Sequence, residues 1–152
     1  MKNEEIKVAV TSRSFSRNDI LRKELLHQYK NVKFNDDGLR LQGDVLIDFL
    51  QGCHKAITAL EVIDDDLLRR LPNLKVISKY GVGVDMIDMQ ALKKYGVKFG
   101  WTGGVNKRSV SELVISFSIA LLRHVPGAHR GVLSGTWKQY IGRHLSGRTV
   151  GI

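Results

Sequence analysis

The chain has a single cysteine and only two prolines among its 152 residues. One cysteine excludes a disulfide framework, and it excludes a cysteine-based zinc or iron–sulfur site built by this chain alone. Two prolines against 15 glycines exclude proline-rich linkers and collagen-like repeats. No apolar run reaches the roughly 18 residues of a membrane span. The polar start, Met1-Lys-Asn-Glu-Glu5, lacks the apolar stretch of a signal peptide. Together these absences lead to the expectation of a reduced, cytoplasmic protein away from membranes.

Acidic residues are scarce as well: 15 Asp and Glu face 24 Lys and Arg, a net charge of +9. The imbalance is local. Residues 1–105 hold 17 basic and 14 acidic side chains, whereas residues 106–152 hold 7 basic and 1 acidic. Those seven cations, from Lys107 and Arg108 to Arg148, are strung out along the chain. That spacing reads as a solvated surface or a face for an acidic partner. It is not a compact nucleic-acid patch, and nucleic acid is not an expected partner. The five histidines, with Cys53 and the Asp64–Asp66 run, have no metal-ligand spacing, so no metal is expected.

What is present is a rhythm of short β-branched runs and helical stripes. Ile6–Val10, Val32–Phe34, Ala56–Thr58, Leu74–Ser78 and Val97–Phe99 read as strands. Between them, Ser16 is placed to cap a helix carrying Ile20, Leu21, Leu25 and Leu26. Leu46, Phe49 and Leu50 stripe a second helix that Gly52 can stop. Asp64 caps a third helix, running to Arg70, and Asp88 a fourth, closed by Gly96. The strand runs are apolar without clean alternation, as in strands covered on both faces. The fold class expected is α/β, a flavodoxin-like, doubly wound parallel sheet.

Residues 107–122 break the rhythm. Val110, Leu113, Val114, Phe117 and Leu121 form one apolar face, and Ile115, Ile119 and Leu122 another. A helix apolar on two sides calls for cover on both, from a second domain or a second subunit. Asn106 is placed to cap it, and Glu112 reads as a solvated polar spot near its start. The end, Thr149–Ile152, reads as a strand just beginning.

One motif carries chemistry. Gly81-Val-Gly83-Val-Asp-Met86 follows a strand and precedes a helix, but Met86 stands where a dinucleotide fingerprint needs its third glycine, and no acidic residue follows at the required distance. Two readings of the glycines stay open: a tight turn that needs glycine dihedrals, or backbone N–H groups left free at a strand end to meet an anion.

Longer stretches go further. Leu74–Asp88, Asn106–Ile115, Leu121–Pro126, Gly131–Trp137 and Leu145–Ile152 together resemble the D-isomer-specific 2-hydroxyacid dehydrogenases, in their phosphoglycerate dehydrogenase-like branch. The resemblance is strong from about residue 56 onward and weaker before it. It implies a flavodoxin-like substrate-binding domain over residues 1–103. It also implies, over 104–152, an interdomain helix and the first strand of a truncated Rossmann domain that binds NAD, NADP being the alternative cofactor. It assigns Gly81, Val82, Gly83 and Asn106 to a 2-hydroxy acid substrate, and Val82, Lys107 and Val110 to the nicotinamide. It also implies a homodimer assembled around the interdomain helix. The family's nucleotide fingerprint and its catalytic arginine, glutamate and histidine would all follow Ile152, so no catalytic residue is carried onto this chain. The branch that binds a phosphorylated substrate often has an arginine after the third strand, where this chain reads Thr58-Ala-Leu-Glu-Val62.

The sequence therefore supports the N-terminal portion of an NAD-dependent oxidoreductase acting on a 2-hydroxy acid, phosphoglycerate-like or related. On its own the chain is expected to be inactive. The alternative is a non-catalytic flavodoxin-like binding module. A receiver-type version of that module would need acidic residues after strand one, where Val10-Thr-Ser-Arg13 stands.

Overall fold

A computed structural model describes residues 5–152. The chain divides into two compact units, Met1–Gly103 and Gly104–Ile152.

The first unit is built on five strands: β1 (Lys7–Val10), β2 (Asn31–Phe34), β3 (Lys55–Thr58), β4 (Val76–Lys79) and β5 (Lys98–Gly100). They form one sheet in the order β2-β1-β3-β4-β5, and every pairing is parallel. The strand signals of the sequence fall on these five elements within one or two residues. Parallel neighbours need crossovers, and helices supply them. These are α1 (Arg13–Ser16) with α2 (Asp19–Gln28), then α3 (Gly43–Leu50), α4 (Asp65–Arg70) and α5 (Met89–Lys94).

The core lies between sheet and helices. Ala9, Ala56 and Ile77 from the strands meet Leu46, Leu50, Leu67, Leu68, Ala91 and Leu92 from the helices. Small alanines on β1 and β3 let the leucines of α3 and α4 sit close to the sheet. Asp64 caps α4 by accepting from Leu67 N at 2.9 Å, and Asp88 caps α5 by accepting from Gln90 N and Ala91 N, each at 2.9 Å. Gly52 and Gly96 leave their helices at φ +72° and +65°, a left-handed turn that glycine makes without a Cβ clash. At the surface, Lys94 and the Tyr95 hydroxyl both reach the Asp65 carboxylate, joining the ends of α4 and α5. That contact holds Asp65 below the usual carboxylate range.

The expected cap at Ser16 is displaced. Ser12 caps α1, accepting from Phe15 N at 3.3 Å, and Asn18 caps α2, accepting from Ile20 N and Leu21 N at 3.1 Å. Ser16 is buried and accepts instead from Asn35 N at 3.1 Å. The stripe read on α2 is also weaker than the pattern implied: none of its residues is buried, and Ile20 is 70% exposed.

The second unit holds α6 (Lys107–Leu122) and α7 (Val125–Leu133), followed by an extended stretch without helix or strand. His124 joins the helices in a left-handed conformation, φ +56°, with its ring stacked 5.4 Å from that of Tyr140. Asn106 does not cap α6. Its backbone is at φ −104°, ψ 8° rather than extended, so its side-chain oxygen is not brought onto the first-turn amides. Glu112 is exposed, as expected, and reaches Arg108 Nε at 3.4 Å. No side chain of α6 is buried, and Phe117 is 61% exposed on one face and Ile115 54% on the other. Thr149–Ile152 forms no strand, because the second unit offers no described strand to pair with it.

The burial differences predict stability. Ile77 is completely buried, and its replacement by alanine costs about 2–5 kcal/mol in a urea titration of the whole chain. Ile20→Ala on the exposed face of α2 changes the same titration by no more than about 0.5 kcal/mol.

Candidate functional site

In an all-parallel sheet the loops that follow the strands gather at one edge. In the order β2-β1-β3-β4-β5 the chain leaves β1 in opposite directions, so the crevice of this edge opens between the ends of β1 and β3. Two features stand on it: the glycine loop after β4 and a cleft bounded by the loops after β1, β2 and β3.

The glycine loop is fastened at both ends. At its start, Tyr80 N donates to Thr58 O at 2.7 Å, continuing the β3–β4 ladder by one residue. At its end, Ile63 and Ile87 form an isolated parallel bridge, with Ile63 N donating to Met86 O and Asp88 N to Ile63 O, each at 2.9 Å. Between these anchors the backbone N–H groups of Gly81, Val82 and Gly83 have no acceptor among the described residues. The Val82 carbonyl accepts from Trp101 Nε1 at 3.0 Å. A trans peptide carries its N–H opposite its C=O, so the Gly83 N–H is turned away from the indole.

The two glycines differ in kind. Gly81 is at φ +133°, a conformation closed to ordinary side chains, and a Cβ there would stand 3.2 Å from Lys79 Nζ. Gly83 has a conformation other residues adopt, and a Cβ there would meet nothing within 4 Å. A turn explains Gly81. Open space beside a bare backbone is the remaining reason for Gly83, and it fits a group lying against the loop.

The ends of β3 and β4 are locked together by polar contacts. Lys79 Nζ donates to Ala59 O, while Ala59 N donates to Glu61 Oε2 at 2.6 Å. Thr58 is fully buried, and its hydroxyl is the one buried side-chain polar atom among the described residues without a hydrogen-bond partner. The ring of Tyr80 stands edge-on to Phe15, centroids 5.3 Å apart, which ties the glycine loop to α1.

The cleft beside this loop encloses about 490 Å³ and is lined by residues 11–14, 39–42 and 59–61. Its lining residues include two arginines, Arg13 and Arg40, and one acidic residue, Glu61. The walls are tied by one buried side chain. Asn35 Nδ2 donates to Thr11 O at 2.8 Å and to Leu39 O at 2.9 Å, and its Oδ1 accepts from Leu39 N at 2.9 Å. Thr11 N in turn donates to Ile57 O at 3.0 Å.

Gly81, Val82 and Gly83 thus lie together on the sheet edge of the first unit, with Val82 half-buried. Asn106, Lys107 and Val110 lie at the start of α6 in the second unit, all exposed, and the Asn106 side chain is free of any capping role. Sequence reasoning missed Trp101, Lys79 and Asn35. Trp101 had a signal, an aromatic residue just past the last strand. Lys79 sits one position before the loop. Asn35 stands just past the second strand, and nothing in its neighbours distinguishes a buried amide from an exposed one.

The model of the D-isomer specific 2-hydroxyacid dehydrogenase catalytic domain matches residues 8–144. A D-3-phosphoglycerate dehydrogenase of Archaeoglobus fulgidus is 36% identical over 92 residues, 59% of this chain and 18% of its own length. A glyoxylate reductase of Thermococcus litoralis is 28% identical over 139 residues, 85% of this chain and 42% of its own. The NAD+-bound 3-phosphoglycerate dehydrogenase of Entamoeba histolytica shares the fold with a TM-score of 0.67 at 20% identity, over 92% of this chain and 43% of that one. The chain therefore spans less than half the length of these relatives. Its parallel sheet, its glycine loop and a family match over nearly all of its length agree: the chain belongs to the D-isomer specific 2-hydroxyacid dehydrogenases.

Proposed function

We propose that this chain is the N-terminal part of an NAD-dependent oxidoreductase that moves a hydride between the nicotinamide and a 2-hydroxy acid. The observation that carries the reading is the run of unpaired N–H groups at Gly81, Val82 and Gly83, held at the strand-end edge of a family member's sheet. Three amides on a loop anchored at both ends make a fixed receptor for a carboxylate, with no side chain to reorganise.

In this reading residues 1–103 bind substrate, and residues 104–152 hold the interdomain helix and the beginning of the NAD-binding domain. Gly81, Val82 and Gly83 take the substrate carboxylate, and Trp101 keeps the Val82–Gly83 peptide facing it. Asn106, with its amide uncommitted to the helix, hydrogen-bonds the substrate. Val82, Lys107 and Val110 line the nicotinamide, which supplies the hydride donor or acceptor when bound. The acid–base pair and the arginine that the reaction requires are assigned to no described side chain, so this chain alone is without activity. The loop Thr58-Ala-Leu-Glu-Val62 offers no cation, which favours a related 2-hydroxy acid over 3-phosphoglycerate.

The direct test is reduction of NAD by a panel of 2-hydroxy acids, using the full-length product of the reading frame. One of them is expected to support turnover; failure of every acid, with both NAD and NADP, overturns the reading. In the same protein Gly83→Val raises the substrate KM by about tenfold or more, because the added side chain holds the carboxylate off the amides and hydrogen bonds to a charged group are worth ~1.5–3 kcal/mol. Its circular dichroism melt stays that of the parent, since the space beside Gly83 is open. Calorimetry on the 152-residue chain should show no micromolar affinity for NAD.

The exposed apolar faces of α6 support a homodimer formed around this helix. Light scattering should find the mass of the chain rising with concentration. A constant monomer mass across the range counts against that assembly.

A further inference from the structure

The cleft bounded by the loops after β1, β2 and β3 is separate from the glycine loop, and no step of the proposed reaction uses it. We propose that it is a binding site for a small dianion, a dicarboxylate or a phosphate group, held by Arg13 and Arg40. The proposal stands independently of the dehydrogenase reading.

Four observations carry it. The first is charge. Arg13 and Arg40 line the cleft, and neither has an ion pair with a described acidic residue, whereas Arg22, Arg69 and Arg70 of the same unit are each paired with an aspartate. With the Gln42 amide turned so that both its ends are satisfied, its oxygen accepts from Arg40 Nε and Nη2, each at 3.3 Å. That neutral contact orients the Arg40 fork and leaves its charge uncompensated.

The second is rigidity. Arg40 follows Leu39 directly and Arg13 lies two residues beyond Thr11, and the buried amide of Asn35 grips both Thr11 and Leu39. The two cation-bearing loops are therefore fixed relative to each other before any ligand arrives, so little ordering is left to oppose binding.

The third is polar capacity. Ser12 and Ser14 line the same wall, their hydroxyls 3.1 Å apart. Ser12 already accepts from Phe15 N, so a hydroxyl proton of the pair remains for an incoming oxygen.

The fourth is an internal occupant. Glu61, the one acidic residue on the lining, folds its carboxylate back onto the Ala59 N–H at 2.6 Å. The chain thus already places an anion on the β3 wall of the cleft. A ligand with one negative charge gains little against that carboxylate. A dianion satisfies both guanidiniums, and charge-assisted, bidentate contacts reward it.

The experiment is an NMR or calorimetric titration of the chain with malonate, inorganic phosphate and acetate, in the absence of nicotinamide. Malonate or phosphate is expected to bind saturably, and acetate about tenfold more weakly or worse. The tighter of the two dianions names the acidic group that the site takes. Arg13→Gln and Arg40→Gln each weaken that binding by about tenfold, and both side chains are exposed, so the melting curves stay unchanged. Glu61→Gln strengthens it several-fold. Non-saturating shifts with both dianions, equal affinity for acetate, or affinity that survives both arginine substitutions would each overturn the proposal. Because no cofactor is present, a failed dehydrogenase assay leaves these outcomes readable, and the reverse also holds.

Discussion

Parallel pairing of β1 with both of its neighbours is the constraint from which the rest follows. A parallel strand cannot return through a hairpin, so each connection must carry a helix across a face of the sheet. Both faces become covered, and the strands lose the alternation of a half-exposed sheet. All strand-following loops collect at one edge, and the reversal of chain direction at β1 opens that edge into a crevice. The site therefore owes its location to strand order, and its chemistry to what the loops carry.

Holding such an edge together is a polar problem. Loop backbones near the core must find partners, since a buried orphan amide or carbonyl costs about 1–3 kcal/mol. Asn35 meets three such needs with one side chain. Lys79 and Glu61 meet the carbonyl and the amide at Ala59. The glycine loop is treated differently: its ends are paired and its middle amides are left without acceptors. That contrast sets the glycine loop apart from the satisfied loops on this edge.

Much of the sheet was legible in the sequence because its signals are local. Val8 and Val10, Ala56 and Ile57, and Ile77 stand in β-branched or small apolar runs, and Asp64 and Asp88 stand directly before helical segments. Short polar segments misled. Ser12, Ser16 and Asn18 all have capping chemistry, and only the fold decides which of them faces an amide and which is buried under β2. The glycine loop could be located but not interpreted from its residues, since the same letters serve a turn and a receptor. Asn35 was beyond reach because burial of its amide depends on the loop after β1, 24 residues away, meeting its own loop. At α6 the apolar pattern was visible on two faces, but pattern alone does not name what covers it.

The strand order also bears on synthesis. β2 adds beside β1, β3 then takes the other flank of β1, and β4 and β5 extend that flank in the order in which they leave the ribosome. Each strand therefore emerges to find an edge already formed, and none has to be inserted between two strands already paired with each other. The first unit is one unbroken stretch of sequence, ending at Gly103. Its five strands can pair while later codons are still being read, which limits the time during which an unpaired parallel edge stands open to aggregation.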